Sequence, residues 1–583
     1  MTNAFPARSE TDWRAAAEAA LKGGAFDKLV SVTADGVRLG PLHAGREGPR
    51  ALRGQEGAWK ALCRVDHPSP DDFAAAARED LENGADGLDL VFAGAGGAYG
   101  FGLARTDAEG LHRAFDGIRF DGGARFNLDI GEFSPATAFA ALIERSGADV
   151  SHVDVAFGLD PLSARAGAAS AEMSGLAKNV AELRGRGFEG PFAAADARSV
   201  HDAGGTPAQE LAFALAAGVA YLRALETPAA IEFRLAADAD AVATLAKFRA
   251  MRLLWGRVLS ACGIEASPAR VHAVSAWRMM TVAEPYVNVM RAALAAFAAG
   301  LGGADSVTLL PFSQAIGLPD AFARRLARNT QLIELREARL GFVADPAAGA
   351  GGFEAMTDGL CEKAWALFQS FEAAGGLAAA LERGIVQDAV KTAAEALKRD
   401  VARGRTLLTG VSAHPHLDAD RVAVLPDVAK TYAATEGALA PLRLSEPFER
   451  LREAAKSAPK MFLAAMGPLS AHTQRLGFAR EFFEAGGVAT VAGAGAASAT
   501  ALAVQFAASG AGIACLCGTD DAYSADAEAF AAALKTAGAR VVMLAGRPGE
   551  HESAWRAAGV DGFIYAGGDR IATLEDLLRR LSG

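Results

Sequence analysis

Residues 270–354 open with RVHAVSAWRMMTVAEPYVNVMRAALAAFAAGLGGADSVTLLPF and close with ARRLARNTQLIELREARLGFVADPAAGAGGFE. The β-branched run Val271 to Ala276 predicts a short strand ending in a polar loop. A helix is expected from about Pro285, because a proline at the first turn lacks an N–H that would be unpaired there anyway. Its apolar positions are Val289, Ala292, Ala293, Leu294, Ala296 and Phe297, and Gly300 with Gly302–Gly303 stop it. A second strand over Ser306 to Leu310, a helix over Pro319 to Arg339 and a third strand over Phe342 to Ala344 complete the stretch. Strand and helix alternate, the pattern of parallel βα units.

The same rhythm extends upstream. Strands are predicted at Leu88 to Phe92, Phe126 to Ile130, Val150 to Phe157, Pro191 to Ala195 and Ile231 to Leu235, with helices between them, one of them over Ser170 to Arg186. With the three strands above, the total is eight, which predicts a (β/α)8 TIM barrel over residues 68–400, closed by helices over 355–400. Residues 1–67 read as an N-terminal arm: a helix over Asp12 to Leu21 capped by Thr11, a hairpin turning at Asp35-Gly36, and a charged glycine-rich loop. Residues 401–459 mix proline and charge and read as a linker or belt. Residues 460–583 alternate again, with strands at Lys460 to Ala465, Val488 to Val491, Ile513 to Cys517, Arg540 to Leu544 and Gly562 to Tyr565. Five βα units predict a flavodoxin-like, doubly wound sheet. The first helix of this unit is expected over Gln474 to Glu484.

Composition narrows the class of function. A hydrophobic content of 51% supports sizeable cores, and a net charge of −11 without basic runs argues against nucleic acid. The longest uncharged stretch, Ala485 to Thr519, is broken by glycine pairs and polar residues, so no membrane span is expected. Five scattered cysteines and an N-terminus without an apolar signal core point to a reduced, cytoplasmic setting. Cys515 and Cys517 share one strand face with no histidine nearby to complete a zinc set, so no metal site is expected. Glu10 with Asp12, His414 with His416 and Glu550 with His551 read as surface pairs. AGAGAAS (492–498) ends in serine where a dinucleotide loop needs glycine, and reads as a small-residue turn.

The order of VHAVSAW, EPYVNVMRAALAAFAAGLGGADSVTLLPF, ARRLARNTQLI and DPAAGAGGFE resembles the end of the substrate barrel in the methylmalonyl-CoA mutase family. These are adenosylcobalamin-dependent carbon-skeleton isomerases, and the resemblance extends over residues 70–583. It implies that residues 460–583 occupy the place of the cobalamin-binding domain. There the family carries Asp-x-His-x-x-Gly after the first strand, its His being the lower cobalt ligand, oriented by the Asp. Here the loop reads MGPLSAHTQRLG, and the three positions become Leu469, Ala471 and Gln474. His472 stands one residue along, but in that register Ser470 and Arg475 replace the Asp and the Gly. CGTDDAY (517–523) and Ala545-Gly546-Arg547-Pro548-Gly549 likewise replace the family's small hydroxyl residues and Gly-Gly turn.

The barrel departs in the same way. The family's Tyr-bearing segment ahead of the first strand corresponds to CRVDHPSPDDF (63–73), which has no tyrosine. Its Tyr-His-x-x-Glu-Ala-Gly corresponds to ARSVHDAGG (197–205), so the catalytic His and the Tyr before it become Ser199 and Arg198, with His201 two residues along. Its His-Thr-Gln-Thr becomes His272-Ala273-Val274-Ser275, and Val274 replaces the glutamine. The family includes a heterodimeric type, with a large subunit that binds adenosylcobalamin and acyl-CoA and a small subunit of the same architecture that binds neither. The chain resembles that small subunit. The resemblance implies no catalytic, cofactor or metal residues in this chain, no cofactor of its own, adenosylcobalamin in a large-subunit partner, and an arm that wraps that partner. The alternatives are an active mutase using His472, or a free-standing acyl-CoA-binding or regulatory protein.

Overall fold

The computed structural model describes residues 8–50, 53, 57–163, 173–418, 422–425 and 439–582. The arm begins with a helix, Glu10–Ala20, none of whose residues is buried. Its cap is Ser9, not Thr11, because Ser9 and Asp12 satisfy each other's backbone N–H in a capping box. The predicted hairpin is present: β1 (Ser31–Val32) pairs antiparallel with β2 (Arg38–Leu39), and Gly36 takes a φ of +74° that suits glycine.

Eight parallel strands follow: β3 (Lys60–Val65), β4 (Gly87–Val91), β5 (Arg125–Asp129), β6 (Asp154–Ala156), β7 (Ala193–Asp196), β8 (Ile231–Ala237), β9 (Arg270–Ser275) and β10 (Ser306–Thr308). They pair in the order β6-β5-β4-β3-β10-β9-β8-β7, and a parallel bridge between Leu159 and Ala193 joins the two ends. The fold is the expected TIM barrel, but two strands differ from expectation. Lys60–Val65, placed by the sequence reading in the arm, is the first barrel strand and pairs with both β4 and β10. Its KALCRV pattern hides a strand because Lys60 and Arg64 point into the lumen, where charge is not expected. Conversely, Phe342–Ala344 is no strand: Leu340–Phe342 is a single 3-10 turn, and Phe342 lies 87% exposed. The helix expected over Pro319 to Arg339 is Ala321–Leu332 followed by a π-helical turn, Ile333–Glu337. The start of the helix expected from Ser170 lies outside the described residues; Met173–Gly185 is helical.

The second sheet contains β11 (Met461–Ala465), β12 (Thr490–Ala492), β13 (Ile513–Cys517), β14 (Val542–Ala545) and β15 (Gly562–Ile564), all parallel, in the order β12-β11-β13-β14-β15. This is the flavodoxin-like order. One apolar cluster lies on each face, and one of them takes in Leu408, Val411, Phe448 and Leu451 from the belt. That part of residues 401–459 therefore packs as a piece of the second domain's core; residues 419–421 and 426–438 lie outside the described residues. Among the described residues one helix, Pro207–Leu225, is long and apolar enough to cross a membrane, but 78% of it is buried between barrel elements.

Candidate functional site

Ligands of a (β/α)8 barrel sit at the carboxyl ends of its strands, and those of a doubly wound sheet sit outside the same ends. Both places are filled by side chains here. Successive strand residues face opposite sides. On β5 the alternate residues Arg125, Asn127 and Asp129 point inward, as do Glu232 and Arg234 on β8. Arg125 pairs with Glu232, and Arg234 donates 2.8 Å to the Leu128 carbonyl. β5 and β8 are three places apart around the ring, so these bonds run through the lumen. Lys60 on β3 reaches Asp154 on β6 at 2.6 Å by a similar chord.

The carboxyl end is sealed in two steps. Arg198, in a short helix just after β7, donates to Asp129 at 3.0 Å and also grips Asp196, and it is only 5% exposed. Over this pair folds the glycine-rich loop after β4, residues 93–102. Gly97 has no room for a side chain, since a Cβ would overlap the Asp129 carboxylate and stand 2.6 Å from the Arg198 guanidinium. Arg64 donates 2.8 Å to Asp66 and 3.1 Å to the Ala98 carbonyl. Tyr99 then donates 2.6 Å to Asp202 and stacks on Trp277 at 4.5 Å, closing the mouth like a lid. This lid and its acids were not singled out in the sequence. The signal was the period-two charge in strands read only as strands: Asp89 in LDLVF, Asp129 in FNLDI, Glu232 and Arg234 in IEFRL.

The buried charges set one another's protonation. Burial alone would raise the Asp129 carboxyl, but Arg198, Arg234 and Arg64 outweigh it and hold it below the ordinary range. Among the described residues Asp89 has no such direct partner; burial, then the Asp129 charge, pushes it up to about 6. His272 is fully buried, with Nδ1 2.8 Å from the Ser306 hydroxyl, and burial with Arg234 and Arg125 nearby keeps it neutral, well below its usual range.

In the second sheet the loop after β11 is only Met466-Gly467-Pro468. The helix expected from Gln474 begins five residues earlier and covers Leu469–Ala485. Proline at the cap starts it at once, so Leu469, Ala471 and Gln474 all lie on a helix instead of a ligand loop. Leu469 is 74% exposed, while His472 is 5% exposed, its ring so close to Gly495 that a Cβ there would stand 2.9 Å from Cε1. Arg475 pairs with Asp520 at 2.5 Å and lies 4.9 Å over the Tyr523 ring. The Tyr523 hydroxyl takes an N–H from Gly518 at 2.9 Å and lies 3.1 and 2.9 Å from the Leu516 and Ala545 carbonyls, binding the ends of β13 and β14 together.

A family model described as methylmalonyl-CoA mutase matches residues 194–459. The methylmalonyl-CoA mutase small subunit of Streptomyces virginiae is 39% identical to the chain, covering 99% of it and 97% of its own length. The chain belongs to the methylmalonyl-CoA mutase family. The small subunit of Propionibacterium freudenreichii subsp. shermanii is 30% identical over 98% of the chain and 95% of its own length. A probable small subunit from Mycobacterium bovis is 35% identical over 78% and 75%.

The structure shows where each expected position lies. Arg198, expected at the family's Tyr position, is the cation that fills the lumen mouth, and Ser199, expected at its His position, has a buried hydroxyl with no hydrogen-bond partner among the described residues. His201 does not reach the lumen: it lies between Glu210 at 3.2 Å and Asp238 at 3.0 Å, 1% exposed. Val274 is buried on β9 two residues from His272. The mutase segment expected ahead of the first strand instead contains part of it, Cys63-Arg64-Val65. Adenosylcobalamin does not fit the residues present. His472, next to the expected ligand position, is held within the helix, and Arg475 with Tyr523 packs at the ends of β13 and β14. No cluster of three metal-ligating side chains exists among the described residues.

Proposed function

We propose that this chain is the non-catalytic small subunit of a heterodimeric methylmalonyl-CoA mutase. It stabilises a large subunit that binds adenosylcobalamin and isomerises (R)-methylmalonyl-CoA to succinyl-CoA in the cytoplasm, and it holds no cofactor, metal, nucleic acid or membrane itself. The observation that carries the reading is the barrel lumen. A substrate threaded along it would have to break the pairs of Arg125 with Glu232 and of Arg198 with Asp129 and Asp196. Breaking a buried pair by removing or displacing one partner costs about 3–5 kcal/mol, because it leaves an uncompensated charge. The shortened loop after β11 supports the same reading for the second domain, and the relatives' small-subunit names suggest the partner. The alternative of a mutase acting through His472 has no supporting geometry, since that ring is packed on Gly495.

The test is co-purification of the tagged chain with and without a large mutase chain from the same source. A one-to-one complex that carries corrin absorbance and isomerase activity only when the large chain is present is expected. A lone chain that takes up adenosylcobalamin and turns over methylmalonyl-CoA would refute the proposal. A chain that ignores the large one would point to the free-standing regulator.

A further inference from the structure

The helix Val287–Leu301 is packed inside out. It buries Asn288, Arg291 and five alanines against the barrel, while Met290, Leu294 and Phe297 are 67%, 45% and 37% exposed. A surface helix of a barrel ordinarily turns its large apolar residues inward. The inner face here is specified by polar anchoring instead: Asn288 donates to the Thr281 and Phe312 carbonyls, and Arg291 donates 2.6 Å to the Thr409 carbonyl.

The exposed apolar strip continues beyond this helix. Tyr286, one turn before Met290, stacks on Phe312 at 4.9 Å, and Phe312 meets the edge of Phe322 on the next helix at 6.2 Å. The strip ends at Ile333 and the Phe342–Val343 turn, which is backed by the arm where Gly341 packs against Ala58. Its edge is basic although the chain carries a net charge of −11. Arg325 lies 5.4 Å over the Phe322 ring, and Arg336 and Arg339 both precede the turn, with Glu337 between them and Arg336 donating 3.2 Å to the Gly84 carbonyl. None of the three arginines has an ion-pair partner among the described residues.

We infer that this strip is the surface on which the large mutase subunit docks, through an apolar ridge bordered by carboxylates. The inference rests on the small-subunit reading. Aromatic residues, Met and Arg are the types enriched in interface cores, while Lys is depleted there and is missing from this strip. A patch of this kind on a lone chain is otherwise an aggregation liability. Two copies of this chain would be a poorer match. An isologous pair apposes the same surface to itself, so each edge of Arg325, Arg336 and Arg339 would bring only one exposed acid, Glu337, to the other.

Two variants of the full chain decide the matter, each titrated against the purified large subunit. Met290→Asp with Phe342→Asp is expected to weaken the Kd by about a hundredfold or more, the scale of hot-spot losses. Arg325→Glu with Arg339→Glu is expected to slow association by about tenfold, with a reduced salt dependence. Both should keep the wild-type circular dichroism and melting curve, since all four side chains are exposed; if the apolar pair misfolds, the charge pair still decides. Wild-type affinity in both variants would overturn the docking surface and leave the small-subunit reading intact. A wild-type chain that binds no large subunit would overturn that reading instead. A wild-type homodimer that either variant converts to monomer would assign the strip to a second copy and overturn the inference.

Discussion

The two ligand ends of this molecule are closed by opposite chemistry. The barrel lumen is closed by charge: Arg125 pairs with Glu232 and Arg198 with Asp129 across it, while Arg198 also grips Asp196 and Arg234 its strand neighbour Glu232. The second sheet is closed by a helix that starts early and by Tyr523 under Arg475. The difference follows from geometry. A barrel lumen is ringed by eight strands, and once it carries polar side chains it can be filled only by residues that satisfy one another. An open sheet's mouth is bounded by loops, and a short loop with one aromatic fills it without buried charge. The barrel should therefore be fragile to single deletions and sensitive to pH, and the second domain neither.

Removing Arg198 tests this most sharply. Arg198→Ala leaves the buried Asp129 and the half-buried Asp196 without their shared cation, and is expected to destabilise the barrel by about 3–5 kcal/mol in a urea denaturation followed by circular dichroism. A loss below about 1 kcal/mol would mean that the lumen is wetter than its packing implies.

The pH dependence is the next effect in size. Asp89, with an ordinary value of 3.8, is raised to about 6 by burial and then by Asp129. The folded chain therefore holds a proton there that the unfolded chain has released, and stability falls as pH rises from about 4 to about 6. Asp160, also raised to about 6 by burial and then by Asp196, acts in the same direction. His272 opposes them, because the unfolded chain gains a proton below 6.5 that the folded chain refuses. Asp89→Asn is expected to be about 1–2 kcal/mol more stable than wild type at pH 7.5 and to converge with it by pH 4. Melting curves across that range check it, and an unchanged difference between wild type and variant at all pH values would remove Asp89 as the cause.

In the second domain Tyr523→Phe removes a hydroxyl that touches three backbone groups at the ends of β13 and β14. A cost of about 1–2 kcal/mol, the same at pH 5 and pH 7.5, is expected from chemical denaturation. The smallest effect is reserved for His472→Gln, which should leave the activity of the reconstituted complex within about twofold of wild type, as measured by isomerase assay. Loss of activity there, with affinity for the large chain intact, would reopen a catalytic part for this domain.

The architecture was legible because hydrophobic strands buried on both sides, such as Val271 to Ser275 and Ile513 to Cys517, announce themselves by composition. The elements that failed are those where another requirement overrode composition. Lys60–Val65 hid because its inward residues are charged. Phe342–Ala344 looked like a strand because it is apolar, but its side chains face outward. Leu294 and Phe297 fitted a core pattern on a helix that in fact buries its small residues. What fills the barrel mouth could not be read from the sequence, since Asp129 with Arg198 and Tyr99 with Asp202 meet only after the ring closes.

That closure has a consequence for how the chain is made. The first barrel strand pairs with the last, Lys60 beside Ser306, and the junction is locked by Trp59 bonding to Gln331 and Arg50 to Glu354, contacts that span 272 and 304 residues. On a ribosome adding about 5–20 residues per second, Lys60–Val65 waits about 10–50 s with one edge unpaired. Throughout that interval the nascent barrel is an open sheet with two bare rims, so fragments that terminate before Ser306 should aggregate instead of accumulating as folded halves.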